Sequence, residues 1–361
     1  MTSLLRHRLF WPGFSLVALI ALNTAVRPRF IQITVRDGEL YGALIDILRN
    51  CAPLMLVSLG MTLVIATRGI DLSVGAVMAV SGAVALTIID GSSDPGSVST
   101  VLVAIGVGVG VALVLGVWNG FLVSVLKIQP IIATLVLMLA GRGVALLITD
   151  GFITTVNSRP LEYVASGHLF GLPFALYIWV AATVSIALVE RRTALGVLTE
   201  AVGINPEASR LAGVRSRGII LGAYVASGTL AGVAGIIYSS NIRAADANAA
   251  GELIELYAIL AVVLGGTSLM GGKFSIAGTV LGVLIIQTLQ STILFLGVSS
   301  AESPVFFAVV VVIVVLIQSP RVHEIARRLT RGRRSRPSPE VRGDAELRTD
   351  AELRTEAEVT P

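Results

Sequence analysis

Two sets of residues in this chain have the types and spacing to do chemistry. The first lies in a polar interruption at 190–217, ERRTALGVLTEAVGINPEASRLAGVRSR. Asn205 is a good N-cap, Pro206 suits the first helical position, Glu207 suits the positive helix end, and Gly213 can close the turn. A short capped helix is predicted around 206–212, with Ala208, Leu211 and Ala212 on one side and Glu207 and Arg210 elsewhere. Its chemistry is recognition: aliphatic groups that can seat in a groove of a partner protein. The other reading is a helix lying on lipid head groups, but one bulky apolar residue gives little grip on lipid.

The second set is polar residues inside apolar runs. Thr279, Gln287, Gln290 and Ser291 fall near one helical face, Thr134 and Arg142 share a face at i, i+8, and Asn119 follows Trp118. Amides and hydroxyls in such places either line a pathway for an uncharged, hydroxyl-rich solute or hydrogen-bond between helices. Arg142 needs a cavity, a partner or an outward path. Both readings stay open for each residue.

Other chemistry lacks its residues. An ATP-binding loop needs GxxxxGK[ST]; Gly271-Gly272-Lys273 is followed by Phe274, and no glycine sits at the earlier required position. His7, His168 and His323 have no metal-ligand spacing, so no metal site is expected. No GxSxG elbow occurs. The one cysteine, Cys51, excludes an internal disulfide. The net charge of +4 does not point to nucleic acid, because the arginines cluster at loops and at the C-terminus. The chain is not expected to be an enzyme.

The elements that must position these residues are membrane helices. The chain is 54% hydrophobic and 14% charged, against roughly 25% charged in a soluble domain. Runs of about 20 apolar residues predict an all-α integral membrane protein of about ten transmembrane helices. They are 9–26, 50–67, 72–90, 100–126, 131–149, 172–189, 218–239, 254–267, 275–296 and 304–319. The first reads as an uncleaved anchor, since no small-residue cleavage site follows it. Lysine and arginine in the loops favour both termini in the cytoplasm, with Arg68, Lys127, the five arginines of 190–217 and Lys273 inside. Arg27, Arg29, Arg36 and Arg49 go against the trend outside. Glycine pairs 106/110, 116/120, 228/232 and 278/282 predict close helix packing. The acidic residues Asp71, Asp90, Glu190 and Glu255 sit near span ends, which argues against an ion-coupled carrier. The division is therefore an N-terminus at 1–8, a membrane domain at 9–320, and a basic, low-complexity tail at 321–361 that ends in a repeated DAELRT.

At this point a family resemblance is visible. Ile65-Ala66-Thr67-Arg68-Gly69-Ile70-Asp71-Leu72-Ser73-Val74-Gly75 resembles a signature of the ribose-type sugar ABC importer permeases. So do Asn119-Gly120 through Lys127-Ile128-Gln129-Pro130 to Thr134, Arg142-Gly143, and Ala261 to Ser268 with Gly271-Gly272. The resemblance covers about 9–320. The stretches Asp37–Leu48 and Arg243–Asn248 are similar to the galactofuranose-importing branch. One departure is Arg68, where the family usually has glycine and where the side chain is placed to pair with Asp71.

The resemblance implies a permease without ATP of its own. ATP would bind on ATPase subunits, a solute-binding protein would deliver sugar outside, and a second permease chain, same or sister, would complete the pathway in the lipid. Residues 201–214 resemble the cytoplasmic coupling element, which would engage Gly203, Asn205, Glu207, Ala208, Arg210, Leu211 and Gly213 with the ATPase. Asn119, Thr134, Arg142, Gln287 and Gln290 are pathway candidates, and Arg36, Arg159, Arg243 and Asp246 are candidates for docking the binding protein. The alternatives are a same-family permease for ribose or another solute, and a secondary transporter or channel without an ATPase.

Overall fold

A computed structural model describes residues 9–297 and the single positions 302, 305, 308, 309 and 312. The N-terminus 1–8, most of the expected tenth span at 304–319 and the tail at 321–361 lie outside the described residues. The chain builds α1 (Phe10–Val26), a 3-10 turn (Pro28–Ile31), a hairpin of β1 (Thr34–Arg36) and β2 (Glu39–Tyr41), α2 (Ala43–Asn50), α3 (Ala52–Ala66), α4 (Val74–Asp90), α5 (Val98–Ser124) and α6 (Pro130–Ile148). There follow β3 (Thr154–Thr155), α7 (Arg159–Ser166), β4 (His168–Leu169), β5 (Leu172–Pro173), α8 (Phe174–Arg192), α9 (Leu195–Ile204), α10 (Pro206–Leu211) and α11 (Ser216–Ile242). Last come β6 (Ala244–Ala245), α12 (Ile254–Leu264) and α13 (Ile276–Leu296).

Nine expected spans coincide with helices to within three residues, because long apolar runs leave the backbone no other way to satisfy its hydrogen bonds in lipid. Among the described residues, five helices are long and apolar enough to cross a bilayer alone: α5, α6, α8, α11 and α13. The pair α2 and α3, bent by 45° around Cys51, is long and apolar enough only when the two are taken together. The bend fits Pro53, which sits in the first turn of α3 and withholds an amide there.

Helix α11 is the hub, packing on α5, α3 and α4, while α12 packs on α13 and α3 and α6 on α4. Small residues set these distances. On α5, Val101, Ala104, Gly108, Ala112, Gly116 and Asn119 are buried at helical spacing, and Leu102, Val103, Val107, Val114 and Trp118 remain exposed. That exposed stripe is what lipid solvates. Of the expected glycine pairs, 116/120 and 228/232 lie where α5 meets α11, and 278/282 presses on α12. Gly106 and Gly110 touch nothing among the described residues.

Connections gather at two ends. At one, Leu40 N donates to Gly171 O (2.9 Å), β3 pairs with β6, and Trp179 Nε1 donates to Leu48 O (3.0 Å). At the other, Gly272 N donates to Ala66 O (3.0 Å) beside α9. Helix α12 breaks the pattern. Its 11 residues span about 16 Å, about half a bilayer core. Before its start, Gly251 packs on Gly75 at the start of α4; a Cβ on Gly251 would fall 2.7 Å from Gly75 Cα.

Candidate functional site

The predicted capped helix exists. Asn205 Oδ1 accepts from Glu207 N (3.1 Å) and Ala208 N (3.0 Å), and Pro206 stands in the first turn of α10. Gly213 closes it with a left-handed φ of +88° and a bond from its N to Arg210 O (3.0 Å). Ser216 Oγ donates to Pro206 O (3.0 Å), stapling α10 to the start of α11. Arg210 Nη2 donates to Glu207 Oε1 (2.5 Å). That hydrogen bond and charge hold the Glu207 carboxyl below the usual carboxylate range and push the guanidinium of Arg210 up. Ala208, Leu211 and Ala212 are exposed, Leu211 by 76%, and Ile204 at the end of α9 is also exposed.

The segment meets the bundle through backbone. Gly203 lies flush against the end of α3: a Cβ there would collide with the Ala66 carbonyl and come 2.5 Å from Gly272 N. An apolar groove of about 760 Å³, lined by Leu195, Leu198, Val214 and Ile219 among others, leaves part of the space between α9 and α11 open. The contact at Gly203 is therefore the firm one.

Beyond Ala66 the chain runs without helix through Thr67–Ser73 into the bundle. Arg68 takes a left-handed φ of +66°, a conformation that favours glycine. Arg68 does not pair with Asp71; its Nε donates to Met270 O (3.0 Å). Asp71 turns the other way, is buried, and accepts from Ser73 N (3.1 Å), Ser73 Oγ (2.6 Å) and Ser227 Oγ (2.8 Å). Ser73 Oγ in turn accepts from Asn119 Nδ2 (2.8 Å), and Thr134 Oγ1 accepts from Leu72 N (3.1 Å). Two pathway candidates, Asn119 and Thr134, thus join one buried cluster with Asp71, Ser73 and Ser227, which sequence reasoning missed. The carboxyl followed two residues later by a hydroxyl, an Asx-turn pattern, was the available signal.

Ser227 is the twelfth residue of α11, about 17 Å along it. Asp71 lies between the ends of α3 and α4 and Glu255 in the first turn of α12, as their places near span ends in sequence suggest, and both are buried.

The remaining candidates are dispersed. Arg142 Nη1 donates to the carbonyls of Ala247 (2.8 Å), Asn248 (3.2 Å) and Ala250 (2.5 Å), pinning the turn before α12. Arg142→Met is expected to destabilise the protein by about 1.5–3 kcal/mol, since charged hydrogen bonds are lost and carbonyls left bare. A lowered thermal midpoint in detergent would register it, with Arg142→Lys between; an unchanged midpoint would deny the pin. Gln287 and Gln290 are half-buried on α13, a helix that contributes nothing to the Asp71 cluster, and Thr279 binds Thr62 Oγ1 (2.7 Å). At the other end, Arg36 and Arg159 are exposed, Arg243 pairs with Glu162, and Asp246 Oδ1 caps its own turn from Asn248 N (2.9 Å) and Ala249 N (3.0 Å).

A membrane helix bundle with broken elements and a capped polar helix at one end has the parts of a permease. The profile of the family described as branched-chain amino acid transport system / permease component matches residues 43–317. The chain belongs to this permease family. Among curated relatives, the galactofuranose transporter permease protein YtfT of Escherichia coli (strain K12) is 48% identical over 322 residues, covering 88% of this chain and 92% of the relative. The fructose import permease protein FruF of Bifidobacterium longum is 40% identical, covering 91% and 93%. The ribose import permease protein RbsC of Escherichia coli (strain K12) is 36% identical, covering 85% and 92%. No solved structure matches the permease.

Proposed function

We propose that this chain is the membrane permease subunit of an ATP-driven sugar importer and passes a galactofuranose-like monosaccharide. The observation that carries the reading is 48% identity, over 88% of the chain, to a galactofuranose transporter permease. A secondary transporter or channel loses to it, because the relatives covering nearly the whole chain are import permeases. In this reading ten spans place both termini in the cytoplasm, which puts α9 and α10 and the arginines around them inside. Separate ATPase subunits bind ATP and press on Gly203 to Gly213. A solute-binding protein docks outside near Arg36, Arg159, Arg243 and Asp246. A second permease chain, copy or sister, shares the pathway within the lipid. Fructose and ribose form a second reading, supported by relatives at 40% and 36% identity.

The substrate is tested by calorimetry of candidate sugars on the partner binding protein, followed by uptake into proteoliposomes holding the assembled importer. Uptake of ribose or fructose in preference to galactofuranose would move the reading to that sugar. The coupling role is tested by changing Arg210 and Leu211 together to Asp. Interface anchors carry about 2 kcal/mol or more each, so ATPase co-purification and uptake should fall roughly 30-fold or more, with membrane insertion intact. Full uptake by that variant would sink the coupling assignment.

A further inference from the structure

The segment Thr67–Ser73 is held at its two ends by different parts of the protein. At its start, the Ala66 carbonyl accepts from Gly272 N and abuts Gly203, and Arg68 is tied to Met270 O. At its end, a directed chain of hydrogen bonds runs from Asn119 on α5 to Ser73 to Asp71, and a second reaches Asp71 from Ser227 on α11.

We propose that Asp71 is a positioning residue that stiffens this segment, so that a displacement of α9 and α10 reaches α5 and α11 instead of being absorbed on the way. The proposal rests on the reading of α9 and α10 as the coupling element. The physical ground is twofold. A non-helical segment of this length takes up movement in its own dihedrals, as hinges do, unless its far end is anchored. And a buried carboxylate without a cation beside it is a costly choice for stability alone, since an apolar residue of similar size avoids the desolvation. Here both oxygens are occupied by donors. Asp71 thereby ties the segment to α11 directly and to α5 through Ser73.

The test uses the assembled importer in proteoliposomes and measures sugar taken up per ATP hydrolysed. Asp71→Asn keeps the volume and still accepts from Ser73, but turns the second acceptor oxygen, the one Ser227 donates to, into a donor. The expected result is normal assembly, ATP hydrolysis within about twofold of the unaltered complex, and uptake per ATP lower by roughly 5- to 150-fold, the range of coupling between linked sites. An unchanged ratio overturns the proposal. A merely structural role would reduce the amount of complex and leave the ratio alone. If Asp71→Asn does not assemble, Ser227→Ala removes a single bond and should lower the ratio about fivefold; no change in that ratio is equally fatal. The double aspartate variant at 210 and 211 separates the two claims. Loss of the ATPase from that variant, together with an unchanged ratio in Asp71→Asn, leaves the coupling element standing and removes only the role of Asp71.

Discussion

Gly203→Ala is expected to cut sugar uptake roughly tenfold or more, the consequence of forcing one methyl group into a contact that has no room for it. The new Cβ would land on the Ala66 carbonyl and 2.5 Å from Gly272 N. Both are backbone, so no side chain can rotate away. Helix α9 must then lift from the end of α3, breaking the Gly272 to Ala66 bond or tilting α10. Overpacking of this kind costs about 1–3 kcal/mol, enough to shift how α10 presents Leu211. Gly218→Ala is the control, since nothing lies within contact of its Cβ. Uptake per assembled complex should fall for position 203 and hold for 218. Equal uptake from both variants would mean that the flush contact is not used.

Gly282→Ala, like Gly278→Ala, should act on stability. A Cβ there would strike the Ala261 carbonyl, while at Gly278 it would strike Gly265. These contacts let α12 lie backbone to backbone on α13, and α12 is too short to gain much elsewhere. A loss of about 1–3 kcal/mol is expected for either variant and more for both, read as a lower thermal midpoint of the purified protein. Gly106→Ala should instead be neutral or stabilise by up to ~1 kcal/mol, because alanine is the better helix former and the site is open within the chain. If position 106 proved as costly as 282, that face of α5 would be packed against something beyond the described residues.

The helices were legible because each apolar run is local, and so was the cap at Asn205, which needs only its next three residues. What was not legible depends on partners far apart. Asp71 meets Ser227 across 156 positions, and nothing near either residue announces the other. Arg68 looked like a partner for Asp71 because it is three residues away, but the left-handed turn at Arg68 sends the two side chains apart. Gly106 and Gly110 carry the same spacing as Gly228 and Gly232, yet among the described residues only the second pair faces another helix.

The Arg142 pin also sets a timetable for biogenesis. Its first acceptor, Ala247, is synthesised 105 residues later. At about 5–20 residues per second, the ribosome needs roughly 5–20 s to supply it. Throughout that interval α6 must reside in the bilayer carrying a guanidinium with no turn to bind, an insertion penalty of about 2.5–3.5 kcal/mol if it lies near the centre. The apolar surplus of Ile131, Ile132, Leu135, Val136 and Leu139 offsets that penalty until the carbonyls arrive. Those residues act first as ballast for a nascent helix, and only afterwards as its lipid-facing surface.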